Sequence, residues 1–205
     1  MRAGRGDEHG ISLTGIGVVL IAPCLDICFG FCMASVLHVA VGMSAGRLMS
    51  KKRNLAWMAG FVFLSMMPDL DVIAFLFGIP YADPFGHRGA SHSLFFACLT
   101  GFLVALFTKY RCGPWLRAGV LSAAVVASHP LLDAMTTGGE GVALWWPWSA
   151  ERLFFSWRPI PVAPIGFDFF SYRGLTVALT EFTPSIPLFV YALWPDRTVL
   201  PEEVE

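Results

Sequence analysis

Charged residues are scarce in this sequence. They make up 14% of the 205 residues, whereas a soluble domain of this size carries about 25%. Apolar residues make up 56%, and the mean hydropathy is +0.63. This scarcity of charge excludes an ordinary water-soluble globule and predicts a chain that lies mostly in lipid.

An excess of positive charge is also missing. Fourteen Lys and Arg stand against fifteen Asp and Glu, which leaves a formal net charge of −1. Because nucleic-acid-binding domains need a basic surface, no nucleic-acid partner is expected.

Cysteine is too rare to form a disulfide framework. There are five, and three of them, Cys24, Cys28 and Cys32, lie inside one apolar run. Small apolar filling of a membrane helix is the simplest interpretation of that trio.

Long apolar runs are abundant. A spanning helix needs about 20 mostly apolar residues, and such windows cover residues 13–46, 55–79, 93–107, 115–135 and 175–194. We therefore predict an all-α integral membrane bundle of about five transmembrane helices. Segment 136–173 is rich in Pro, Gly and Trp and is expected to form an interfacial cap.

No composition shift divides the chain into several folded domains. We predict a membrane-embedded domain over residues 33–197, an apolar extension over 1–32 and an acidic tail over 198–205. The extension is either an extra segment or a misassigned start, because Met33 stands inside the first window. Basic residues cluster in segments 47–53 and 109–117, so these loops are expected to be cytoplasmic and the cap to face the opposite side.

Ionisable side chains stand inside or beside the apolar windows, where each is costly unless it has a partner. Pro68 is expected to break the second window and turn Asp69 and Asp71 toward one point. In segment 86–93 (GHRGASHS), Gly89 permits a tight turn and Ser91 or Ser93 caps the next helix. His129 and Asp133 share a helix face. The predicted metal ligands are His38, Asp69, Asp71, His87, His92, His129 and Asp133.

These ligands have the nitrogen and oxygen chemistry of a divalent metal site, with zinc as the first candidate. Their number exceeds what one four-coordinate ion needs, so one or two ions are expected. Asp71 or Asp133 would bridge two ions, and a water of lowered pKa would be the nucleophile for hydrolysis.

The motifs resemble a family of bacterial inner-membrane proteins described as membrane-bound, metal-dependent hydrolases, with a LexA-regulated member. The similarity covers most of the chain from Met33 onward. It rests on His38, segments 68–71 (PDLD), 86–93, 129–139 (HPLLDAMTTGG), 144–147 (LWWP) and 157–166, and on Arg152 and Glu181. A fainter pattern of His and Asp on helices is similar to the zinc-dependent phospholipases C.

The resemblance implies an enzyme of the bacterial inner membrane that hydrolyses an ester or phosphoester, with a membrane lipid or lipid-linked compound as substrate. The expected general base is Asp69 or Glu181, and Arg88 is expected to hold an anionic substrate group. The alternatives are an intramembrane metal or proton transporter and a non-catalytic membrane interaction protein. The sequence gives no oligomeric state.

Overall fold

The computed structural model describes residues 36–162 and 170–196 and is all-helical there, as predicted. The predicted extension 1–32 and tail 198–205 lie outside the described residues. The helices are α1 (Val36–Ser50), α2 (Leu55–Met66), α3 (Leu94–Tyr110), α4 (Trp115–Asp133) and α5 (Tyr172–Leu193). A 3₁₀ segment, Met67–Phe77, continues α2, and a single 3₁₀ turn, Ala90–His92, precedes α3.

Three of these elements are long and apolar enough to cross a membrane: Leu55–Phe77, Trp115–Asp133 and Tyr172–Leu193. Leu94–Tyr110 is a shorter apolar helix. The five apolar windows thus correspond to α1, to α2 with its 3₁₀ continuation, and to α3, α4 and α5. The described part of the first window forms α1, which continues past the predicted end at Gly46 to Ser50.

The helices pack as a bundle in which α1 contacts α2 and α5, and α3 contacts α4. Ala45, Met49 and Phe61 join Ala118 and Val125 in the main apolar cluster. Gly42 and Gly46 lie one turn apart on α1, where the backbone of α2 comes too close for any side chain. A Cβ on Gly46 would lie 2.4 Å from Met58 Cα. Such small-residue contacts let membrane helices approach closely.

Basic residues gather at one end of the bundle. Arg47 forms an ion pair with Asp196 at 2.9 Å, after the end of α5. The backbone N–H of Arg53 donates to the same carboxylate. Arg117, near the start of α4, donates to Leu48 O in α1. The positive-inside rule predicts that this end faces the cytoplasm.

The opposite end carries the predicted cap. Residues 134–162 fold back over it: Phe155 N donates to Ala134 O, and Leu144 O accepts from Leu94 N at the start of α3. Ala134, Val142 and Leu144 form a small second core. Trp145, Trp148 and Trp157 remain more than half exposed at 55%, 77% and 70%, as expected for side chains at a membrane interface.

Candidate metal centre

Six of the seven predicted ligands come together at the capped end of the bundle. Asp69 lies just after the end of α2, His92 immediately before α3, and Asp133 at the last residue of α4. Because consecutive helices run in opposite directions, these positions reach the same level, under the cap. The concentration of polar groups at one end, expected from the sequence, is present in the structure.

Four side chains form the first group, which we call the Asp69 cluster: Asp69, His92, His129 and Asp133. Their four ligand atoms all lie within 4.8 Å of one another. His92 and His129 are buried, with side chains 0% and 1% exposed, and Asp133 is 10% exposed. Asp69 is 25% exposed and marks the open side of the cluster.

A second group, which we call the Asp71 cluster, consists of Asp71, His87 and His92. Asp71 Oδ1 accepts from His87 Nδ1 at 2.7 Å. Its other oxygen, Oδ2, accepts from Arg88 N at 3.1 Å and Ser91 Oγ at 2.5 Å, and lies 3.0 Å from His92 Nδ1. His92 therefore belongs to both clusters, one through each ring nitrogen.

Pro68 contributes to the orientation of His129 by leaving a main-chain carbonyl free to contact it. Proline has no N–H, so in the 3₁₀ segment residue 68 donates no bond to the carbonyl of Ser65 three residues earlier. That carbonyl instead faces His129 Nδ1 at 2.7 Å. The contact places the ring proton on Nδ1 and leaves Nε2 directed at Asp69, 3.2 Å from Oδ1. The expected break at Pro68 is present, whereas the role of Ser65 was not foreseen.

The loop before α3 places His87 and His92 by tight turns. Arg88, not Gly89, has the left-handed backbone, with φ of 61°. Gly89 has φ of −91°, and its requirement is space, because a Cβ there would lie 2.3 Å from Pro84 O. Ser93 is the N-cap of α3 and accepts from Phe96 N at 3.0 Å. Ser91, the other expected cap, binds Asp71 instead.

Three carboxylates lie beside the buried ring of His92 and favour positive charge there. Burial alone would lower the pKa of the imidazole, but the charge of Asp71, with Asp133 and Asp69 beside the ring, raises this pKa well above its usual value. The buried Nε2 nevertheless has no hydrogen-bond partner of acceptable geometry. This nitrogen is buried next to carboxylates, and the Nδ1 edge of the same ring lies against Asp71. Such an arrangement is expected of a metal ligand.

His38 and Glu181 belong to neither cluster. His38 packs against His129 with ring centroids 4.0 Å apart, and its Nε2 lies 3.4 Å from His129 O. Glu181 is buried in α5, at 4% exposed. Their roles as a ligand and a base stay predictions.

Arg88 lies beside the centre, as expected. Its Nε is 3.1 Å from Asp133 Oδ2, and its Nη1 donates to Thr136 Oγ1 at 3.2 Å and Gly138 O at 3.1 Å. The guanidinium thus connects the Asp69 cluster to the cap. Its predicted contact with an anionic substrate stays a prediction.

Arg152 fastens the cap to the loop that carries His87. Its Nη1 donates to His87 O at 2.9 Å, and its Nη2 donates to Tyr81 O at 2.7 Å and Asp83 O at 3.1 Å. Sequence reasoning gave Arg152 no role, since main-chain carbonyls leave no pattern in a sequence. Its only signal in the sequence was its place among the residues that carry the family resemblance.

Replacing Arg152 by lysine is expected to loosen the cap. An ammonium group does not reproduce the planar fork of the guanidinium, so partly buried carbonyls lose donors, at a cost of about 1–3 kcal/mol. For a chain of this length that corresponds to a fall in Tm of roughly 2–12 °C. Thermal unfolding in detergent measures it. The control is Arg158→Lys, because Arg158 is exposed and lies over the Phe154 ring, where lysine also fits. Equal Tm values for the two variants would contradict the assigned role.

Fold and site together define a class: a helical integral membrane protein with a histidine and aspartate centre at one end of its bundle. The YdjM inner membrane protein family matches residues 33–196, and this chain belongs to that family. This chain is 42% identical over 135 residues to inner membrane protein YbcI of Escherichia coli (strain K12). The match covers 63% of this chain and 74% of that protein. No solved structure shows a significant match. The predicted bacterial inner-membrane location is confirmed.

Proposed function

We propose that this protein is a metal-dependent hydrolase of the inner membrane that cleaves an ester or phosphoester bond in a lipid-derived substrate. The observation that carries the proposal is the Asp69 cluster, in which two imidazole nitrogens and two carboxylate oxygens converge in a largely buried site. Zn²⁺ is the ion that we expect there, because imidazole and carboxylate are its usual partners in hydrolases.

His92, His129 and Asp133 would hold the ion, and Asp69 would share the fourth position with water. When bound, a divalent ion supplies a Lewis acid and water of lowered pKa. Asp69 is the most exposed of the four, so it faces the side from which water and substrate arrive. We assign its carboxylate to remove the proton from the attacking water. Asp69 is preferred to Glu181 as the base because Glu181 belongs to neither cluster.

The location of the cluster favours a lipid-derived substrate. The cluster lies where α4 ends and α3 begins, below a cap with exposed tryptophans. Ester and phosphate groups of a bilayer lie at this depth. The same location is less suited to a transporter, which needs groups near the middle of the membrane.

Hydrolysis by the purified full chain tests the proposal. We expect zinc-dependent release of product from phospholipid in mixed micelles, and slower release from the water-soluble bis(p-nitrophenyl) phosphate. Zinc-dependent flux into proteoliposomes without hydrolysis of either compound would contradict the proposal and favour transport.

Replacing Asp69 by asparagine is expected to lower turnover by about 10²- to 10⁴-fold, the usual contribution of a general base. Zinc should still bind, since His92, His129 and Asp133 remain, and three protein ligands are enough for a catalytic zinc site. Turnover at saturating zinc and bound zinc are measured on the same sample. Asp83→Asn is the control, because Asp83 lies in a partly exposed turn outside both clusters. Unchanged turnover in Asp69→Asn would reject Asp69 as the base.

A further inference from the structure

The two clusters differ in kind, although both consist of histidine and aspartate. Building on the proposed function, we infer that the protein holds one ion, in the Asp69 cluster, and that Asp71 is a positioning residue for His92. Asp71 and His87, predicted from the sequence as metal ligands, then support the site without touching the ion. The inference depends on distances within each cluster.

The spacings in the Asp69 cluster suit atoms that share an ion. Ligand atoms about 2.0–2.1 Å from a tetrahedral ion lie about 3.3–3.4 Å from each other. His92 Nε2 is 3.4 Å from both Asp69 Oδ1 and Asp133 Oδ2. His129 Nε2 is 3.2 Å from Asp69 Oδ1 and 3.7 Å from Asp133 Oδ2. Most of these separations exceed those of good hydrogen bonds, yet they are close to the edges of a coordination tetrahedron.

The spacings in the Asp71 cluster are those of hydrogen bonds. Asp71 lies 2.7 Å from His87 Nδ1 and 3.0 Å from His92 Nδ1. Its carboxylate also accepts from Arg88 N and Ser91 Oγ. A carboxylate has about four sites for hydrogen-bond donors, so Asp71 is saturated. A second ion would have to displace donors that hold the loop before α3.

His92 connects the two clusters in a way that gives Asp71 its role. Its Nδ1 lies 3.0 Å from Asp71 Oδ2 and 3.1 Å from Ser91 Oγ, which itself donates to Asp71, whereas its buried Nε2 faces the Asp69 cluster and makes no hydrogen bond. A carboxylate that accepts the ring proton of a histidine fixes its tautomer and orientation and makes the other nitrogen a better ligand. The main-chain carbonyl of Ser65 holds His129 in the same way, because it accepts from Nδ1 of that ring.

His87 acts one step further from the ion. Its Nδ1 holds Asp71 Oδ1, and its ring packs edge-on against Tyr81, with centroids 5.1 Å apart. It lies 5.5 Å from the His92 ring by the same measure. Hydrogen bonds thus connect His87 and Ser91 to Asp71, which lies against the His92 ring.

Metal content of the purified full chain in detergent provides the first test. We expect one zinc per chain at saturation, by inductively coupled plasma mass spectrometry against protein from amino-acid analysis. Two zinc ions per chain would overturn the inference and leave the proposed function standing. Failure to bind any zinc would reject the proposed function itself.

Variants of the Asp71 cluster provide the second test. In Asp71→Asn we expect zinc affinity to fall about 10- to 100-fold, as for other groups behind a ligand, with one zinc still bound at saturation. His87→Gln should also retain one zinc, and Asp83→Asn should bind as the wild type does. Circular dichroism establishes that each variant is folded. Loss of a zinc equivalent in His87→Gln would overturn the inference even if Asp71→Asn fails to fold.

Cobalt substitution separates positioning from coordination. The visible spectrum of bound Co²⁺ depends on its ligand atoms, so it should be the same in the wild type and in Asp71→Asn at saturation. A changed spectrum in folded Asp71→Asn would make Asp71 a ligand and overturn the inference. Weaker Co²⁺ binding with an unchanged spectrum supports the positioning role.

Discussion

Replacing Asp133 by asparagine is expected to remove bound zinc from the purified protein, with affinity falling more than about 100-fold. Groups that only orient a metal ligand cost about 10- to 100-fold when they are lost, so a ligand should cost more. Asp133 Oδ2 lies 3.4 Å from His92 Nε2 and 3.7 Å from His129 Nε2. Asparagine keeps the shape of the side chain but removes the negative charge that the cluster offers to a cation.

The measurement is a competition titration of zinc against a chelator of known affinity. Asp83→Asn is the matched control, since it makes the same chemical change outside both clusters. Asp133 also pairs with Arg88 at 3.1 Å, so the folded state of each variant is followed by its elution volume in detergent. Wild-type affinity in folded Asp133→Asn would contradict the assignment of the Asp69 cluster as the metal centre.

The second large effect is expected in the bundle and not in the site. Gly46→Ala places a methyl group 2.4 Å from Met58 Cα and 2.6 Å from Met58 N, so α1 and α2 must move apart. Inserting a methyl group into a tight contact costs about 1–3 kcal/mol, and a clash with main chain belongs at the upper limit. The expected fall in Tm is roughly 6–12 °C.

Gly60→Ala is the control for that variant. It makes the same substitution in the partner helix α2, where an added Cβ meets nothing within 4 Å. Alanine is favoured over glycine inside a helix by about 1 kcal/mol, so this variant should be as stable as the wild type or more stable. Thermal unfolding of both variants in one detergent decides the matter. Equal Tm values would show that close packing of α1 on α2 does not limit stability.

The helices could be predicted because apolar runs of spanning length have few other uses. The windows at 55–79 and 115–135 correspond closely to Leu55–Phe77 and Trp115–Asp133. Pro68 was expected to interrupt the first of these, and α2 does end at Met66. Helix boundaries were predicted less accurately where the sequence has no helix-breaking residue. α1 continues beyond Gly46, and α5 begins at Tyr172, before the start of the window 175–194.

The sequence could predict that the histidines and aspartates of the site lie together, but it could not predict their division into two clusters. Histidine and aspartate in a membrane chain indicate a shared function whatever their exact contacts. Asp69 and Asp71 are two residues apart and chemically identical, so their spacing does not say which edge of the His92 ring each one meets. That choice follows from the 3₁₀ backbone after Pro68 and from the loop bonds that Asp71 accepts.

The chain order of the Asp69 cluster has a consequence for the biogenesis of the protein. Its four groups lie on three successive parts of the chain: Asp69 after α2, His92 before α3, and His129 and Asp133 in α4. A nascent chain inserts its helices in order, so the cluster is incomplete until α4 has entered the bilayer. The positive-inside rule predicts a cytoplasmic basic end, and with that orientation the finished cluster faces the outer side. On the function proposed above, metal would therefore bind only after insertion and from the outer compartment.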